Sequence, residues 1–347
     1  MLYVTTRLDR DAYTAHRALT ESRAPDGGFF TPMQLPVFSH KEIAQLGEKP
    51  FSRNVAEIVN LFFGSELDSW AVEFAIGRYP VKFADVSPRA TIAETWHNPL
   101  WRFERLARGI EKAICQSDQI SMVPSDWLMV ASRIAVLFGI FGELIHEGTI
   151  DAAVPIDVAV PAGNLSACVA ACMARTMGLP IATVVVGCNE NSAPWWLLHK
   201  GELRTDIQTV KTDTPACDIA IPEGLERLIH SALGEAEVMK FLGALDNRSN
   251  YYLEPWQTEL LRKGIYVSVV SGNRMEAMIA ALYKTSSYVA DPCTALVYGG
   301  LIDYRSRTGE GRYALILSEE SPAFSLNPVA KALGTTPAEL KKHIDKG

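Results

Sequence analysis

The spacing of hydrophobic and polar positions changes near residue 120. Before that point apolar side chains recur at helical intervals, most clearly over residues 53–64 and 67–77, a pattern typical of amphipathic helices. We therefore expect the first domain, residues 1–115, to be a mostly helical N-terminal region. The second domain, residues 116–347, has a different pattern and is expected to contain a parallel sheet.

The second domain alternates apolar helices with short β-branched strands. "DWLMVASRIAVLFGIFGELIHEG" predicts a long buried helix, because it is apolar on nearly every face. The segments "AAVPIDVAVPAGN", "LSACVAACMARTMG" and "LPIATVVVGCN" then predict a strand, a helix and a strand, which together form a βαβ unit. "GIYVSVVS" and "YALILSEE" predict two further strands. This order predicts an α/β fold with a doubly wound, mostly parallel sheet.

Three loops are expected on one rim of that sheet, since ligands of doubly wound sheets bind beyond the carboxyl ends of the strands. They are "PAGNLS", "CNENSAPWW" and "SEESPAF". The first loop has a single glycine, so it is either an anion-binding helix start or a simple tight turn. The aromatic side chains of the second loop either face a pocket or fill the core. Candidate functional residues on the rim are Asn164, Ser166, Asn189, Trp195, Trp196, Glu319 and Glu320.

The segment "ETWHNPLWRFERLARG", residues 94–109, gathers groups suited to proton transfer. His97 and Glu104 can form an acid/base pair across the turn made by Pro99. Trp101 is a candidate substrate contact in the same segment. The alternative is that His97 has only a structural role.

Composition narrows the class of function. The 347 residues carry a net charge of −7, with 48% hydrophobic and 21% charged residues, which favours a globular protein that does not bind nucleic acid. Arg133 and Glu143 interrupt the most apolar run and the first residues do not form a signal peptide, so we expect no membrane segment and a cytoplasmic location. The six cysteines lack zinc-site spacing, and we expect them to be reduced, with no metal bound.

Several segments resemble threonine synthase, a pyridoxal-phosphate enzyme of fold type II, and they follow the same order. They are "YTAHRALTESRAPDGGFFTPMQLPVFS", "VPAGNLSACVAACMARTMGLPIATVVVGCNENSAPWWLLHKGEL", "ACDIAIPEGLERLI", "YVADPCTALVYGGLIDY" and "YALILSEESPAF". The resemblance implies the fold type II scaffold and a cleft that in the family holds cofactor and substrate.

The chain departs from the family where that cofactor would be held. The family's Schiff-base lysine lies in the motif H-G-P-T-x-A-F-K-D, and the matching position here is Glu104, whose carboxylate cannot form an imine. The resemblance also places Glu319 at the family's late threonine, Cys293 at its late histidine, and "GNLS" at its G-N-F-G loop. Only sixteen residues separate Glu104 from Ser121, too few for the family's small domain. We therefore expect a truncated cofactor domain and no cofactor.

These observations predict a cofactor-independent enzyme on a threonine synthase-like scaffold. Its reaction would be an acid/base cyclisation, dehydration or isomerisation of a partly aromatic or lipophilic metabolite in specialised biosynthesis. One alternative is a non-catalytic pseudoenzyme or complex-stabilising subunit, and another is a residual pyridoxal-phosphate lyase. A homodimer is expected, because loss of a lobe would expose apolar surface. The predicted catalytic residues are His97, Glu104 and Glu319, and the predicted substrate contacts are Trp101, Asn164, Ser166, Asn189, Trp195, Trp196, Cys293 and Glu320.

Overall fold

The structure is a computed structural model that describes residues 1–64, 70, 81–97, 103, 107, 108, 111 and 125–345. The strands of these residues are, in chain order, β1 (Leu2–Thr5), β2 (Tyr13–Thr14), β3 (Phe30–Pro32), β4 (Lys82–Ser87), β5 (Ala90–Glu94), β6 (Ile156–Pro161), β7 (Ile181–Cys188), β8 (Glu202–Leu203), β9 (Tyr251–Tyr252), β10 (Ile265–Val269) and β11 (Ala314–Ser318).

The α-helices of the same residues surround these strands. They are α1 (Ala15–Thr20), α2 (His40–Ala44), α3 (Phe51–Phe63), α4 (Asp126–His146), α5 (Ser166–Thr176), α6 (Ala193–Lys200), α7 (Gly224–Leu233), α8 (Glu235–Asp246), α9 (Pro255–Leu261), α10 (Gly272–Ser286), α11 (Pro292–Thr308), α12 (Leu326–Leu333) and α13 (Pro337–Ile344).

A six-stranded sheet with the order β10-β7-β6-β11-β5-β4 forms the centre of the fold. Its neighbours are parallel except for β4, which pairs antiparallel with β5. The predicted βαβ unit is confirmed as β6, α5 and β7, and the two later predicted strands are β10 and β11. The prediction of a mostly parallel α/β sheet is therefore confirmed.

Helices cover both faces of the sheet, as the doubly wound prediction requires. Successive residues of a strand face opposite sides: Val158 and Val160 of β6 pack into the core that includes α3, α4 and α5. Ala159, between them, packs into the core that includes α10, α11 and α12. In β11, Leu317 belongs to the first core and Ile316 to the second. Each central strand therefore links two separate cores.

The long apolar segment forms α4, which is a core helix. It is long and apolar enough to cross a membrane, but 78% of its most apolar stretch is buried inside the protein, where α3 and α5 pack against it. Its two internal charges have partners: Arg133 pairs with Glu319, and the Glu143 carboxylate accepts the Phe51 N–H at 2.8 Å. The cytoplasmic location expected from the sequence stays a prediction.

The described part of the N-terminal region contains strands that the sequence did not predict. Strands β1, β2 and β3 form a three-stranded antiparallel sheet. Strand β5 pairs in parallel with β11, from Ala90 opposite Ala314 to Glu94 opposite Ser318. Because β4 and β5 belong to the central sheet, residues on both sides of the expected division at residue 115 share one sheet.

The two helices predicted in this region have different outcomes. The helix predicted over 53–64 is confirmed as α3. The prediction for 67–77 lies outside the described residues apart from Trp70. The predicted loss of the small domain falls between residues 105 and 120, where only Ala107, Arg108 and Glu111 are described, so it stays a prediction.

Candidate functional site

A cleft of about 510 Å³ lies beyond the carboxyl ends of β6 and β11. This is the rim where the sequence placed ligand binding, and we call this cavity the main cleft. Its walls come from α4, from the starts of α5 and α11, from the segment after β11 and from part of the N-terminal region. Its charged wall residues are Arg23, Asp126, Arg133, Glu223, Glu319 and Glu320.

A tight turn carries the chain from β6 into α5 at the floor of the main cleft. The Leu165 N–H donates to the Ala162 carbonyl at 2.6 Å, and Gly163 takes a φ of +43°. Leu165 itself has a φ of +61°, a left-handed conformation that is unfavourable for a bulky residue and is often found at functional sites. The Leu165 side chain is buried, so core packing helps to hold this strained conformation.

Asn164 anchors the turn to the start of α7. Its side-chain oxygen accepts the Glu223 N–H at 2.7 Å, and its carbonyl accepts the Gly224 N–H at 3.2 Å. A Cβ on Gly224 would lie 2.5 Å from that carbonyl, so this approach requires glycine. Asn164 lies on the main cleft wall, but both of its oxygen atoms accept hydrogen bonds from the protein backbone.

The start of α5 offers backbone donors to the main cleft. Ser166 and Ala167 are the first residues of this 11-residue helix, and both lie on the cleft wall. The first N–H groups of a helix have no partner within the helix, and the helix dipole favours negative charge there. The floor of the main cleft is therefore suited to an anionic group.

Glu319 and Glu320 follow β11 into the main cleft. Arg133 holds Glu319 with two hydrogen bonds, Nε to Oε1 at 2.8 Å and Nη2 to Oε2 at 2.6 Å. This fork-shaped pairing fixes the position of the carboxylate. The Arg133 guanidinium also lies 4.3 Å from the centre of the Phe103 ring.

Two cysteines and a buried carboxyl group lie at the start of α11. Cys293 and Cys217 both line the main cleft; contact with Cys217, together with burial, holds the pKa of the Cys293 thiol well above its usual value. Cys293 is therefore a neutral thiol and not a nucleophilic thiolate at neutral pH. Behind it, burial raises the pKa of Asp291 to about 6, and the Asp291 carboxylate caps α11 through the N–H groups of Cys293 and Thr294.

His97 lies outside the wall of the main cleft and is held by Glu94. Its Nε2 lies 2.5 Å from Glu94 Oε2, and its ring stacks on Trp96 at 4.0 Å. The Tyr288 hydroxyl donates to the other Glu94 oxygen at 2.8 Å. Trp96 connects this group to the cleft region, because its indole N–H donates to Ser318 Oγ at 3.0 Å.

The predicted pairing of His97 with Glu104 falls partly outside the described residues, and so does Trp101. Phe103 is described, and its N–H donates to the Glu319 carbonyl at 3.1 Å. The segment that begins at residue 94 therefore reaches the main cleft, whereas the roles of Glu104 and Trp101 stay predictions.

The loop after β7 contributes none of the residues of the main cleft wall, although Asn189, Trp195 and Trp196 were predicted substrate contacts. Asn189 is buried, and its amide nitrogen donates to Asp218 Oδ1 at 2.7 Å, so it holds a loop in place and is not among the residues of the main cleft wall. Trp195 stacks on His199 at 5.1 Å, and Trp196 lines a different cavity. Trp195 and Trp196, two of the aromatic residues on which a flat, apolar substrate was predicted, are therefore not among the residues of the main cleft wall.

The sequence interpretation missed two arginines of the main cleft. Arg133 interrupts the apolar α4, and because a charge buried in a core helix requires a partner, that pattern alone predicts a functional or ionic contact. Arg23 lies 3.9 Å from the centre of the Phe29 ring and pairs with Glu223 at 2.5 Å. No pattern in the sequence distinguishes Arg23 from a surface arginine.

Pyridoxal phosphate, which the resemblance implies, fits this cleft only in part. The Gly163 turn and the start of α5 could hold its phosphate. Its aldehyde needs a lysine amine for covalent attachment, and none of the residues that the structure places on the cleft wall is a lysine. The described wall therefore does not fit a cofactor held through a lysine.

Comparison with known proteins agrees with the fold. Residues 2–78 match the family described as Threonine synthase N terminus. The chain is 30% identical to threonine synthase of Methylobacillus glycogenes over 221 residues, covering 61% of this chain and 44% of that protein. It is 27% identical to human Threonine synthase-like 1 over 175 residues, covering 49% of this chain and 23% of that protein. The chain thus spans less than half the length of these relatives.

Two solved structures resemble almost the whole chain. Pyridoxal-phosphate-bound threonine synthase from Brucella melitensis superposes with a TM-score of 0.83 at 18% identity, covering 97% of this chain and 92% of that one. Yeast threonine synthase also gives 0.83 at 18% identity, covering 96% and 90%. The fold is therefore the α/β scaffold of the fold type II pyridoxal-phosphate enzymes. The chain is thus similar to threonine synthases in sequence, over residues 2–78 and in the segments matched by these relatives, and in its fold.

Proposed function

We propose that the main cleft belongs to an enzyme that works by acid/base chemistry without pyridoxal phosphate. The observation that carries the proposal is the pair of consecutive carboxylates, Glu319 and Glu320, on a wall whose described residues include no lysine. Carboxylates in a partly buried cleft can take and return protons in cyclisation, dehydration or isomerisation.

The geometry supports a substrate with an anionic group. The N–H groups at the start of α5 would bind that group, because they lie on the floor of the cleft. Arg133 keeps the Glu319 carboxylate in one position, and a fixed position is what a group needs to take a proton from a bound substrate. The mixed polar wall favours a small carboxylate or phosphate ester over the lipophilic metabolite that the sequence suggested.

Proton exchange in heavy water tests this proposal with a range of candidate substrates. A panel of small carboxylates and phosphate monoesters is incubated with the protein in D₂O, and the loss of carbon-bound hydrogen is followed by NMR. We expect Glu319→Gln or Glu320→Gln to slow exchange about a hundredfold. The control is Glu259→Gln, a surface carboxylate outside the cleft, which should leave the rate unchanged. If both cleft variants exchange as fast as the wild type, the proposal is wrong.

Cofactor independence needs its own experiment. The protein is incubated with pyridoxal phosphate and reduced with borohydride, and the lysines are mapped by mass spectrometry. We expect only slow, non-saturating labelling of surface lysines. One adduct per chain that saturates on a single lysine would contradict cofactor independence and favour a residual pyridoxal-phosphate lyase.

A non-catalytic role is the second candidate, and ion pairing around the cleft favours it. Arg23, Arg133 and Arg227 are each paired with a carboxylate of the protein itself. Such internal neutralisation stabilises a fold whether or not it catalyses a reaction. If no compound exchanges and the Glu319→Gln variant only lowers the melting temperature, the pseudoenzyme interpretation is the better one.

A further inference from the structure

A second cavity lies beside the main cleft, beyond the carboxyl end of β7. Its volume is about 600 Å³, and its wall shares no residue with that of the main cleft. The wall comes from the start of α6, from β8 and from the loop over residues 204–210. We call it the second cavity. Neither the resemblance nor the proposed acid/base chemistry gives it a role.

Buried amide groups fix the loop that borders the second cavity. The Asn191 side chain exchanges two hydrogen bonds with the Val210 backbone, donating to its carbonyl at 2.9 Å and accepting its N–H at 2.8 Å. Asn189 donates to Thr212 Oγ1 at 3.0 Å and to Asp218 Oδ1 at 2.7 Å. Breaking these part-buried bonds would leave the buried amides of Asn189 and Asn191 without these partners, which is costly. The loop therefore keeps this position, and the cavity is preformed.

The wall of the second cavity is acidic. Glu190, Glu202 and Asp206 contribute carboxylates, and Arg204 is the one basic residue that the structure places on this wall. Arg204 and Asp206 pair with each other at 3.2 Å, and Glu190 accepts the Gly272 N–H at 3.0 Å. The net charge of the wall is negative, which favours a cationic ligand over an anionic one.

An exposed indole gives the second cavity an aromatic surface. Trp196 lies on the wall and is 48% exposed, with the ring of Trp195 packed against it at right angles. Ile207, which is half-buried, and Val210, which is exposed, add apolar surface around it. An indole close to carboxylates attracts organic ammonium groups, because the face of the ring is electron-rich.

We propose that the second cavity binds an organic amine in its protonated form. The ammonium group interacts with the carboxylates and with Trp196, and the carbon body of the ligand packs on the apolar wall. Acidic residues alone would not define such a site. The inference depends on their position in a preformed cavity that also holds a solvent-exposed indole.

Calorimetric titration with phenethylamine tests the proposal, with 2-phenylethanol and phenylacetate as neutral and anionic counterparts. We expect measurable binding of the amine, weaker binding at high salt, and no measurable binding of the other two compounds. Binding of 2-phenylethanol as strong as that of the amine would overturn the proposal, because the charge would then play no part.

Substitutions locate the site. Trp196→Ala and Glu202→Gln should each weaken amine binding about fivefold. The matched control is Trp256→Ala, since Trp256 is 63% exposed and lies outside the cavity. Thermal melting shows whether each variant folds, and the exposed positions should tolerate the changes. Equal affinity of the Trp196→Ala variant and the wild type would place the amine elsewhere and refute the assignment.

Discussion

Asp157 has the least favourable environment of the carboxyl groups in the sheet. It lies on β6 with no exposed surface, and its nearest cation, Arg312, is 3.9 Å away. Burial raises its pKa to about 6 from a usual value of 3.8. The folded state therefore keeps the proton to a higher pH than the unfolded state does, and stability falls as the pH rises from about 4 through 6.

The Asp157→Asn variant should remove this cost. At pH 8 we expect its free energy of unfolding to exceed that of the wild type by up to about 3 kcal/mol, because each unit of pKa shift corresponds to about 1.4 kcal/mol. At pH 4 the gain should vanish. Urea unfolding at the two pH values measures the difference, with the exposed Asp213→Asn as control. A gain of the same size at both pH values would mean that the charge is not the cause.

For Arg133, the sequence predicts that the residue has an ionic partner but not which residue that partner is. One cation in the apolar α4 predicts a partner, and the structure supplies Glu319. The sequence could not identify which carboxylate would pair, because the two residues lie 186 positions apart. Similarly, the sequence did not show the hydrogen bonds of the buried Asn189 side chain. Because Asn189 follows a strand, we predicted that it contacts a ligand.

At the scale of elements, β7 and α11 pack closely at Gly187. A Cβ at this position would lie 2.9 Å from the Val297 Cα and 3.0 Å from the Leu296 carbonyl oxygen. Backbone atoms cannot move away as a side chain can, so the helix and the sheet would have to separate. The lack of a side chain at Gly187 thus allows the short distance between the sheet and α11.

Gly187→Ala should therefore lower the free energy of unfolding by about 2 kcal/mol or more. Gly243→Ala is the matched control: it lies within α8, and nothing lies within 4 Å of an added Cβ. There alanine should stabilise the protein by about 0.5–1 kcal/mol, since glycine disfavours a helix. Chemical denaturation measures both, and a stabilised Gly187→Ala variant would contradict the close packing.

Elements with long, repeated patterns were predictable from the sequence, and short ones were not. The 21 residues of α4 and the βαβ unit gave unambiguous patterns. Strands β4 and β5 have six and five residues, too few for periodicity to distinguish a strand from a helix. Their place in the sheet depends on the pairing of β5 with β11, which lies far along the chain.

At the scale of the whole molecule, the two cores should unfold together, because alternate residues of the same strands belong to each. Phe138→Ala removes a buried ring from one core, and Leu301→Ala removes a buried side chain from the other. Each should cost about 2–5 kcal/mol and shift one common transition. Far-ultraviolet circular dichroism and tryptophan fluorescence should give the same midpoint. Separate midpoints would show that the cores are independent.

The homodimer expected from the sequence stays a prediction at this scale. Met33, Val37 and Leu260 are exposed apolar residues around one groove, which agrees with a surface covered by a second copy. Light scattering after gel filtration should give about twice the mass of 38.1 kDa. A monomeric mass at micromolar concentration would reject the expectation.

The sequence predicted where the site lies better than it predicted which residues line it. Parallel strands place ligands beyond their carboxyl ends, and the main cleft lies there. Which rim residues line the same cavity could not be predicted, because the position of each loop depends on side-chain contacts with residues far along the chain. Asn164, Ser166, Cys293, Glu319 and Glu320 line the main cleft, whereas Trp196 lines the second cavity.

One stretch of chain, residues 216–220, contributes to the walls of both cavities. Ala216, Cys217 and Ile219 face the main cleft, and Ala220 faces the second cavity. A molecule that displaced residues 216–220 from one side would change the shape of the other cavity. By thermodynamic linkage, an occupant of either compartment would then alter the affinity of its neighbour by the same factor in both directions.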